Sequence, residues 1–188
     1  MSERIRYAWG QSSLGDFITA ISHEGVVAFE FTHRSSAALA TLRARFSAAA
    51  IEPDETGLAE VVKKLAAVIE RPALDPGLPL DIRGSDYQKK VWDILRRIPA
   101  GQTTTYGTIA SEMGTPRDAR DVTDAIANNT IAILIPCHRV VKKNGALSGY
   151  RWGTKRKRAL LVREQHQGAT GGTLRCVLRS VRLESRFS

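Results

Sequence analysis

The sequence predicts a mixed α/β (α+β) fold in which a small sheet precedes a mostly helical region. Residues 4–32 are rich in β-branched and aromatic residues around a glycine-containing turn, which is typical of antiparallel strands. From Ser85 onward, helix-start and helix-stop signals follow at short intervals. Residues 72–79 contain three prolines and a glycine and indicate a linker. We therefore expect an N-terminal subdomain at 1–80, a C-terminal subdomain at 81–167 and a basic tail at 168–188.

The first region is predicted to contain a hairpin and two helices. Strands at 17–21 and 26–31 flank a short turn in which Gly25 supplies a positive φ. Residues 35–46 are rich in alanine, leucine and arginine, which favours a helix, and the apolar spacing across 58–69 predicts a second one. These helices present an apolar face and no cluster of reactive groups.

The second region opens on a capping box. Ser85 can accept a hydrogen bond from the amide of Gln88 while the Gln88 side chain reaches back, so a helix begins here and continues to about residue 98. At the other end of the region, a turn at 142–145 and a loop at 148–153 precede a basic helix predicted over 154–165.

Two short helices are predicted in the middle of the second region. Thr105 caps the first, which ends at Gly114. Thr115 caps the second, with Pro116 at its first position, and this helix reaches about residue 128. A helix pair across a glycine-containing turn is the pattern of a helix-turn-helix, although many such pairs bind no nucleic acid.

The positive charge is concentrated near the end of the chain. The formal net charge is +9. Residues 1–80 sum to −2 and residues 81–136 to 0, whereas residues 137–167 carry +8 and 168–188 carry +3. This distribution favours a polyanionic partner. A basic run such as 155–158 is, alternatively, only the solvated face of a helix.

Composition also bears on compartment and metals. No apolar run approaches the roughly 20 residues of a membrane-spanning helix, and the start of the chain lacks the apolar core of a signal peptide. We expect a cytoplasmic protein that keeps Cys137 and Cys176 reduced. No cysteine and histidine spacing suggests zinc.

The most informative stretch is the apolar run at 133–141, which contains Pro136, Cys137 and His138. The run predicts a buried strand that ends at the proline and delivers the thiol to a rigid edge. An isolated cysteine is more often a buried structural residue. The adjacent histidine and nearby cations would, however, lower the thiol pKa and favour a nucleophile. On these residues alone, a cysteine hydrolase remains an alternative.

The motif Pro-Cys-His-Arg-Val at 136–140 resembles the active-site signature of the O6-alkylguanine-DNA alkyltransferases. The likeness continues through Gly-Ala-Leu-Ser-Gly-Tyr-Arg-Trp-Gly at 145–153, runs back to Ser85 and reaches Glu164. Residues 4–80 resemble the amino-terminal half of the family more weakly. The chain is most similar to the carboxy-terminal alkyltransferase part of Ada-type proteins, which implies an RNase H-like first subdomain and a helix-turn-helix in the second.

The resemblance implies a chemistry and its residues. Cys137 would accept an alkyl group from O6-alkylguanine or O4-alkylthymine in double-stranded DNA, once per molecule. A water would link the thiol to His138, and Glu164 would orient the imidazole. Asn129 would brace the active-site turn, and Tyr106 would help to unstack the base and donate a proton toward it. A monomer is implied, with no membrane partner, no metal and no organic cofactor.

The resemblance also implies how DNA and the flipped base are held. Arg120 would fill the gap that the extruded base leaves. Further contacts to DNA would come from Thr105, Ala119, Thr123 and Arg139. The walls of the substrate pocket would be Val140, Tyr150, Arg151 and Trp152.

The chain departs from the family pattern on the helix that would face DNA. Family members usually carry small neutral residues between the arginine and the asparagine, whereas this chain has Asp121 and Asp124. We expect these acids to weaken DNA binding, and Asp124 to pair with Arg120 four residues before it. A non-repairing alkyltransferase-like damage sensor is a further alternative, but such proteins lack the active cysteine that is present here.

Overall fold

The computed structural model describes residues 3–114 and 119–168 and forms a mixed α/β fold. A four-stranded sheet has the order β3-β2-β1-β4, with β1 antiparallel to β2, β2 antiparallel to β3 and β1 parallel to β4. A second sheet joins two-residue strands β5 and β6 in parallel. The strands are β1 Glu3–Ser12, β2 Gly15–Ile21, β3 Val26–Phe31, β4 Ala49–Pro53, β5 Thr104–Thr105 and β6 Val140–Val141. The α-helices are α1 Ser36–Arg45, α2 Ala59–Glu70, α3 Asp86–Arg96, α4 Tyr106–Glu112, α5 Ala119–Ala127 and α6 Thr154–Gly168.

The predicted hairpin is confirmed, and its glycine is needed for two reasons. Gly25 has φ +148°, and a Cβ at this position would lie 2.3 Å from the carbonyl oxygen of Pro79. That carbonyl accepts a hydrogen bond from the amide of Val26 at 2.9 Å, so the end of the linker pairs with the edge of β3. Strand β4 was not predicted, because a short strand at a sheet edge has little apolar alternation to reveal it.

The edge of β3 also positions the segment that leads to the cysteine. The amide of Phe29 donates to the carbonyl of Thr130 at 2.8 Å, and the amide of Ala132 donates back to the carbonyl of Phe29 at 2.7 Å. Backbone pairing of this kind fixes both the register and the direction of a strand-like segment. The chain therefore approaches the cysteine along a rigid sheet edge.

The predicted helix starts are largely confirmed. Ser35 caps α1 by accepting from the amide of Ala38 at 3.2 Å. Both hydrogen bonds of the capping box of α3 are formed. Thr105 caps α4 by accepting from the amide of Thr108 at 3.2 Å. These local signals hold because each satisfies a backbone amide that the first helical turn leaves without a partner.

Two predicted features of the helix pair are not tested. The predicted cap Thr115 and the following Pro116 lie outside the described residues, and α5 is described from Ala119 onward. The helix-turn-helix and the RNase H-like architecture therefore stay predictions. None of the helices among the described residues is both long and apolar enough to cross a bilayer.

One large hydrophobic core joins the sheet to the helical region. It contains Phe17 and Phe29 from the sheet together with Leu95, Ile109 and Leu160 from the helices, all at 0% exposure. Complete burial of one such side chain stabilises the fold by about 1.5–3 kcal/mol. Because the core crosses residue 80, the division into two subdomains remains a prediction about folding units.

Candidate active site

The cysteine lies on a helical turn and not at the end of a strand. After the pairing with Phe29, the chain bends through Ile133, whose φ is +66°, and Cys137–Arg139 forms a 3₁₀ helix. The prediction of a strand over this apolar run was wrong. The side chains are buried by packing inside the core rather than by pairing in a ladder, and Pro136 cannot donate to one.

Asn129 links the two ends of this bend. Its Nδ2 donates to the carbonyl of Ile135 at 2.9 Å and to Sγ of Cys137 at 3.2 Å, while its Oδ1 accepts from the amide of Ile131 at 2.9 Å. The side chain is 1% exposed. A buried amide with its donors and its acceptor occupied holds one geometry strongly, because the loss of any contact leaves a buried polar group unsatisfied.

The thiol is protonated at neutral pH. Burial raises the pKa of Cys137 to about 11, although the hydrogen bond from Asn129 and the charge of Lys157 act in the opposite direction. The prediction that neighbouring cations lower this pKa below its ordinary value was wrong. The sequence shows which charges are close along the chain but not that Cys137 is buried, with 3% of the residue exposed. Transfer from this thiol therefore requires a base.

His138 and Glu164 form a buried pair beside the thiol. Nε2 of His138 and Oε1 of Glu164 are 2.8 Å apart, and both side chains are 0% exposed. Burial lowers the pKa of His138 although the bond to Glu164 raises it, so the imidazole is neutral at pH 7. The carboxylate fixes the Nε2–H tautomer. Nδ1 is then a buried acceptor, and it has no hydrogen-bond partner among the described residues.

Glu164 accepts from three parts of the chain. Burial raises its pKa, but the hydrogen bonds from His138 and Arg139 outweigh this effect and lower the pKa to about 2. Oε2 also accepts from the amide of Gly101 at 3.1 Å. Read from sequence alone, Glu164 is one exposed helix acid among many. In the fold it is completely buried and ionised.

Arg139 lies inside the site and not on the surface. Its guanidinium donates to Glu164 at 2.8 Å and to the carbonyl of Ile98 at 2.5 Å, and the residue is 8% exposed. The predicted contact of Arg139 with DNA does not fit this position, because the side chain would have to abandon a buried carboxylate. The sequence could not separate it from the exposed Lys142 and Lys143.

Lys157 is a site residue that sequence reasoning missed. The basic run at 155–158 was interpreted either as a contact for a polyanion or as a solvated helix face, yet Lys157 is 0% exposed and fits neither interpretation. Its Nζ donates to the carbonyl of Val140 at 2.5 Å and to Oγ of Ser148 at 2.6 Å. Burial lowers its pKa to about 8. The available signal was its position seven residues before Glu164, which puts both on one face of α6.

Tyr106 is joined to the same network. Its hydroxyl donates to Oγ of Ser148 at 2.9 Å, and that Oγ donates to the carbonyl of Val140 at 3.1 Å. Lys157, Ser148 and Tyr106 thus form a continuous chain of hydrogen bonds. It connects the start of α4 with the loop that follows β6.

The loop residues 150–152 differ in what they contact. Trp152 packs edge-on against Phe31 and Tyr150, with ring centroids 6.4 Å and 5.2 Å away. Arg151 pairs with Glu30 at 3.2 Å. The hydroxyl of Tyr150 is buried without a hydrogen-bond partner in the described part of the chain, and this burial raises the pKa of the phenol well above its usual value.

Helix α5 has one buried and one exposed face. Val122, Ala125 and Ile126 are buried, and the carbonyl of Ala125 accepts from Trp92 Nε1 at 2.9 Å. The other face exposes Arg120, Asp121, Thr123 and Asp124. The predicted ion pair between Arg120 and Asp124 is not formed within the described residues. The side chain of Ala119 lies outside what the structure describes.

The cationic surplus at 137–167 is largely used inside the fold. Five of its nine Lys and Arg residues bind groups of the protein itself: Arg139, Arg151, Arg156, Lys157 and Arg163. The remaining four, Lys142, Lys143, Lys155 and Arg158, are exposed, and so is Arg151 despite its ion pair. The attraction of this segment for a polyanion is therefore weaker than its sequence charge suggests.

Comparisons with known proteins point to one family. Residues 86–166 match the family description 6-O-methylguanine DNA methyltransferase, DNA binding domain. The Escherichia coli bifunctional transcriptional activator/DNA repair enzyme Ada is 40% identical over 160 residues, which cover 85% of this chain and 45% of Ada. This chain thus spans less than half the length of the Ada relatives that it matches.

A shorter relative and a solved structure match over more of their length. The Mycobacterium leprae methylated-DNA–protein-cysteine methyltransferase is 42% identical over 122 residues, covering 65% of this chain and 74% of the relative. The crystal structure of Mycobacterium tuberculosis OGT in complex with DNA has a TM-score of 0.66 at 32% identity, covering 87% of this chain and 94% of OGT. The predicted family and the mixed fold are thereby confirmed, and the chain belongs to the methylated-DNA–protein-cysteine methyltransferase family.

Proposed function

We propose that the chain repairs DNA by moving one alkyl group from O6 of alkylguanine, or O4 of alkylthymine, to Sγ of Cys137. The observation that carries this proposal is the buried arrangement of Asn129, Cys137, His138 and Glu164. It supplies a fixed sulfur and a neutral imidazole oriented by a carboxylate. A protonated thiol beside such a pair needs only the removal of its proton to attack a carbon.

The proton of the thiol is proposed to reach Nδ1 of His138. No direct hydrogen bond joins Sγ to the imidazole within the described residues, and a bridging water is the carrier that we assign. Glu164 stabilises the imidazolium that results. The new S–C bond forms as the bond between O6 and the alkyl carbon breaks, and guanine leaves with the electron pair.

The leaving base must also be neutralised. Tyr106 is the proposed donor to the guanine, and the ammonium of Lys157 lies two hydrogen bonds away through Ser148. A buried cation at this distance stabilises the negative charge that develops on the Tyr106 oxygen as its proton is transferred to the guanine. Lys157 is mostly charged at pH 7 because its pKa is about 8.

The target base must leave the duplex to meet this thiol. Cys137 is 3% exposed, whereas O6 of guanine lies within the paired and stacked duplex. We propose that Arg120 of α5 fills the gap, and that Val140, Tyr150, Arg151 and Trp152 surround the extruded base. Thr105, Ala119 and Thr123 are proposed to contact the DNA, while Arg139 acts inside the site.

The reaction is proposed to occur once per molecule. A thioether has no electrophilic carbonyl through which water could release the sulfur, unlike the thioester of a cysteine hydrolase. No residue of the proposed mechanism requires a metal or an organic cofactor. The protein would act as a monomer on double-stranded DNA, in the cytoplasm and at the nucleoid.

The test is intact mass spectrometry after incubation with duplex DNA that contains O6-methylguanine. One molecule should gain about 14 Da on the peptide that carries Cys137, and the amount of repaired DNA should equal the amount of protein. Cys137→Ser should abolish the gain. Cys176→Ser is the matched control and should react fully.

Three results would contradict the proposal. Repeated turnover would favour a hydrolase. A methyl group on Cys176 would place the chemistry elsewhere. Tight binding of the lesion without any mass change would favour a non-repairing damage sensor.

A further inference from the structure

Helix α6 carries two neighbouring rows of charged side chains. One row contains Lys157 and Glu164, seven residues apart, and both point into the thiol site. The other contains Arg156 and Arg163, also seven residues apart and each one position earlier. Seven residues are almost two full turns, so each pair shares a face, and adjacent residues differ by about 100° around the axis. The second row therefore faces a different part of the molecule.

Arg163 binds the sheet region with both arms of its guanidinium. Nη1 donates to the carbonyl of Ile69 at 2.6 Å and lies 3.4 Å from Glu70, and Nη2 donates to Oγ of Ser13 at 2.6 Å. Ser13 in turn donates from its hydroxyl and its amide to Glu70 at 2.7 and 3.1 Å. The guanidinium thus joins the end of α2 to the turn between β1 and β2.

Arg156, seven residues before Arg163 on α6, binds the same turn between β1 and β2. Its Nε donates to the carbonyl of Leu14 at 2.8 Å, its Nη1 donates to the carbonyl of Trp152 at 2.8 Å, and its guanidinium lies 5.1 Å from the centroid of Phe31. Gly15 lies beside this guanidinium with φ +108°, and a Cβ there would lie 2.9 Å from Nη2 of Arg156.

The turn that receives both arginines is internally fixed. Oγ of Ser12 donates to the carbonyl of Gly15 at 2.8 Å and accepts from the amide of Leu14 at 3.2 Å. Strands β1 and β2 are paired up to Ser12 and Gly15. A rigid sheet therefore holds two points of α6, which is enough to fix both the rotation and the axial position of the helix.

We propose that Arg163, with Arg156, is a positioning residue that acts on the transfer reaction through Glu164. Its hydrogen bonds to the turn around Ser13 fix the rotation of α6 about its axis. This rotation keeps the Glu164 carboxylate hydrogen-bonded to Nε2 of His138. This inference rests on the proposed function, because it concerns the rate of the same transfer. The sheet region would then fix the position of Glu164, and through it the orientation of His138, the proposed general base.

Arg163 would act by fixing the geometry of α6 and not by adding binding energy. The Arg163 and Glu70 side chains are 23% and 46% exposed, and ion pairs at that exposure contribute little to stability. A guanidinium that donates to two acceptors, however, fixes the orientation of the side chain. The single ammonium of a lysine at the same position cannot do this. Small displacements of a catalytic group reduce rates strongly even where stability is hardly changed.

The first experiment compares Arg163→Gln with Arg158→Gln, an exposed arginine on the same helix. Transfer to a free-base substrate is measured in single turnover and normalised to the fraction of protein that finally reacts. We expect Arg163→Gln to be about tenfold slower and the control to stay within about twofold of the native chain. Arg163→Lys should not restore the rate. Loss of folded protein would lower the reacting fraction but not the normalised rate.

The second experiment is a double-mutant cycle. If Arg163 acts through Glu164, Arg163→Gln should slow transfer in the native chain but have little further effect in a Glu164→Gln background. Equal effects in both backgrounds would overturn the proposal. Ser13→Ala removes one acceptor and keeps the arginine, and it should give a smaller loss of the same kind. If neither Arg163→Gln nor Ser13→Ala slows transfer, the inference is wrong.

The third measurement does not depend on activity. The ¹⁵N shifts of the His138 imidazole report the Nε2–H tautomer in the unreacted protein. We expect this tautomer to dominate in the native chain and a mixture to appear in Arg163→Gln. An unchanged spectrum would overturn the proposal. If the tautomer shifts but the native chain never transfers an alkyl group, the proposed function fails while the positioning of Glu164 stands.

Discussion

The thiol centre and the exposed face of α5 represent opposite uses of charge. Around Cys137, the carboxylate of Glu164 and the cations of Arg139 and Lys157 are buried and bound to one another or to backbone carbonyls. On α5, Arg120 and Asp121 are exposed to solvent. The first set is organised before any substrate arrives, and the second is free to respond to one.

This difference determines which substitutions should alter chemistry and which should alter binding. A buried network acts in a medium of low effective dielectric, where removing one partner has a large effect. An exposed charge is screened by salt within about 8 Å at physiological ionic strength. We therefore expect substitutions in the thiol centre to change rate constants and substitutions on α5 to change DNA affinity.

The largest effect is expected from Glu164→Gln. It removes the charge that holds His138 in one tautomer, and transfer should slow by about 100-fold with both DNA and a free-base substrate. Affinity for DNA should stay within about twofold. The variant also leaves Arg139 buried without its partner, which should lower the free energy of unfolding by about 3–5 kcal/mol. Single-turnover kinetics and denaturant unfolding measure the two effects.

Glu60→Gln, which changes an exposed acid of α2, is the control and should alter neither quantity. An unchanged transfer rate in Glu164→Gln would exclude the carboxylate from the reaction. If DNA affinity fell as much as the transfer rate, the thiol centre and α5 would not have separate effects on chemistry and on binding.

An intermediate effect is expected from pH. His138 must be neutral to act as a base, and burial lowers its pKa below the usual value of 6.5. The rate constant should therefore be flat from pH 7.5 down to 6.5 and fall about tenfold per pH unit only below the folded-state pKa. Measuring the rate with a free-base substrate separates the pH dependence of transfer from the pH dependence of DNA binding. A decline that already begins above pH 6.5 would contradict a buried neutral imidazole.

Protonation of His138 and of Glu164 should each lower the free energy of unfolding as the pH falls. The unfolded chain binds a proton at His138 at higher pH than the folded chain, so the free energy of unfolding should fall as pH drops from 6.5 toward the folded-state pKa. Glu164 adds a second loss at lower pH, because its stabilisation is complete above 4.5 and disappears as pH falls toward about 2. Denaturant unfolding at a series of pH values checks both limbs.

The smallest effect is expected from Asp121→Ala combined with Asp124→Ala. Removing two exposed acids from the proposed DNA-facing helix should tighten duplex binding by about threefold to tenfold and steepen its dependence on salt. Transfer to a free base should not change. Asp121 lies in the first turn of α5 and favours the helix dipole, so a few tenths of a kcal/mol of stability should be lost. Salt-dependent binding titrations give the answer.

Glu112→Ala provides a matched loss of charge on α4, where the acid is already paired with Arg97. If the double variant binds duplex no better at any salt concentration, either the acids point away from DNA or α5 does not face it. In that case the proposed insertion of Arg120 would lose its support.

Short-range features of the chain could be predicted, whereas tertiary burial could not. The capping box at Ser85, the cap at Thr105 and the hairpin around Gly25 depend on residues a few positions apart, and all three are present. The adjacency of Cys137 and His138 was likewise visible. Glu164 was identified only through resemblance, because nothing local distinguishes a buried helix acid from an exposed one.

The errors have a common physical origin. The raised pKa of Cys137, the burial of Lys157 and the internal pairing of Arg139 all depend on what packs against them from distant segments. Sequence charge overstates the local field because it counts cations, such as Arg139 and Arg151, that carboxylates of the fold already neutralise. The strand predicted to lead up to Pro136 failed for a related reason, since a short apolar run is compatible with any fully buried conformation.

Ile133 makes the bend before the thiol unusually intolerant of sequence change. Its φ of +66° suits glycine or asparagine, and a β-branched residue there costs about 1–2 kcal/mol. Its side chain is nevertheless 3% exposed, and truncating such a residue costs about 2–5 kcal/mol. The backbone favours glycine or asparagine here, whereas the core needs a large apolar side chain. Redesign of the proposed alkyl transfer should therefore leave position 133 unaltered and diversify the proposed pocket walls instead.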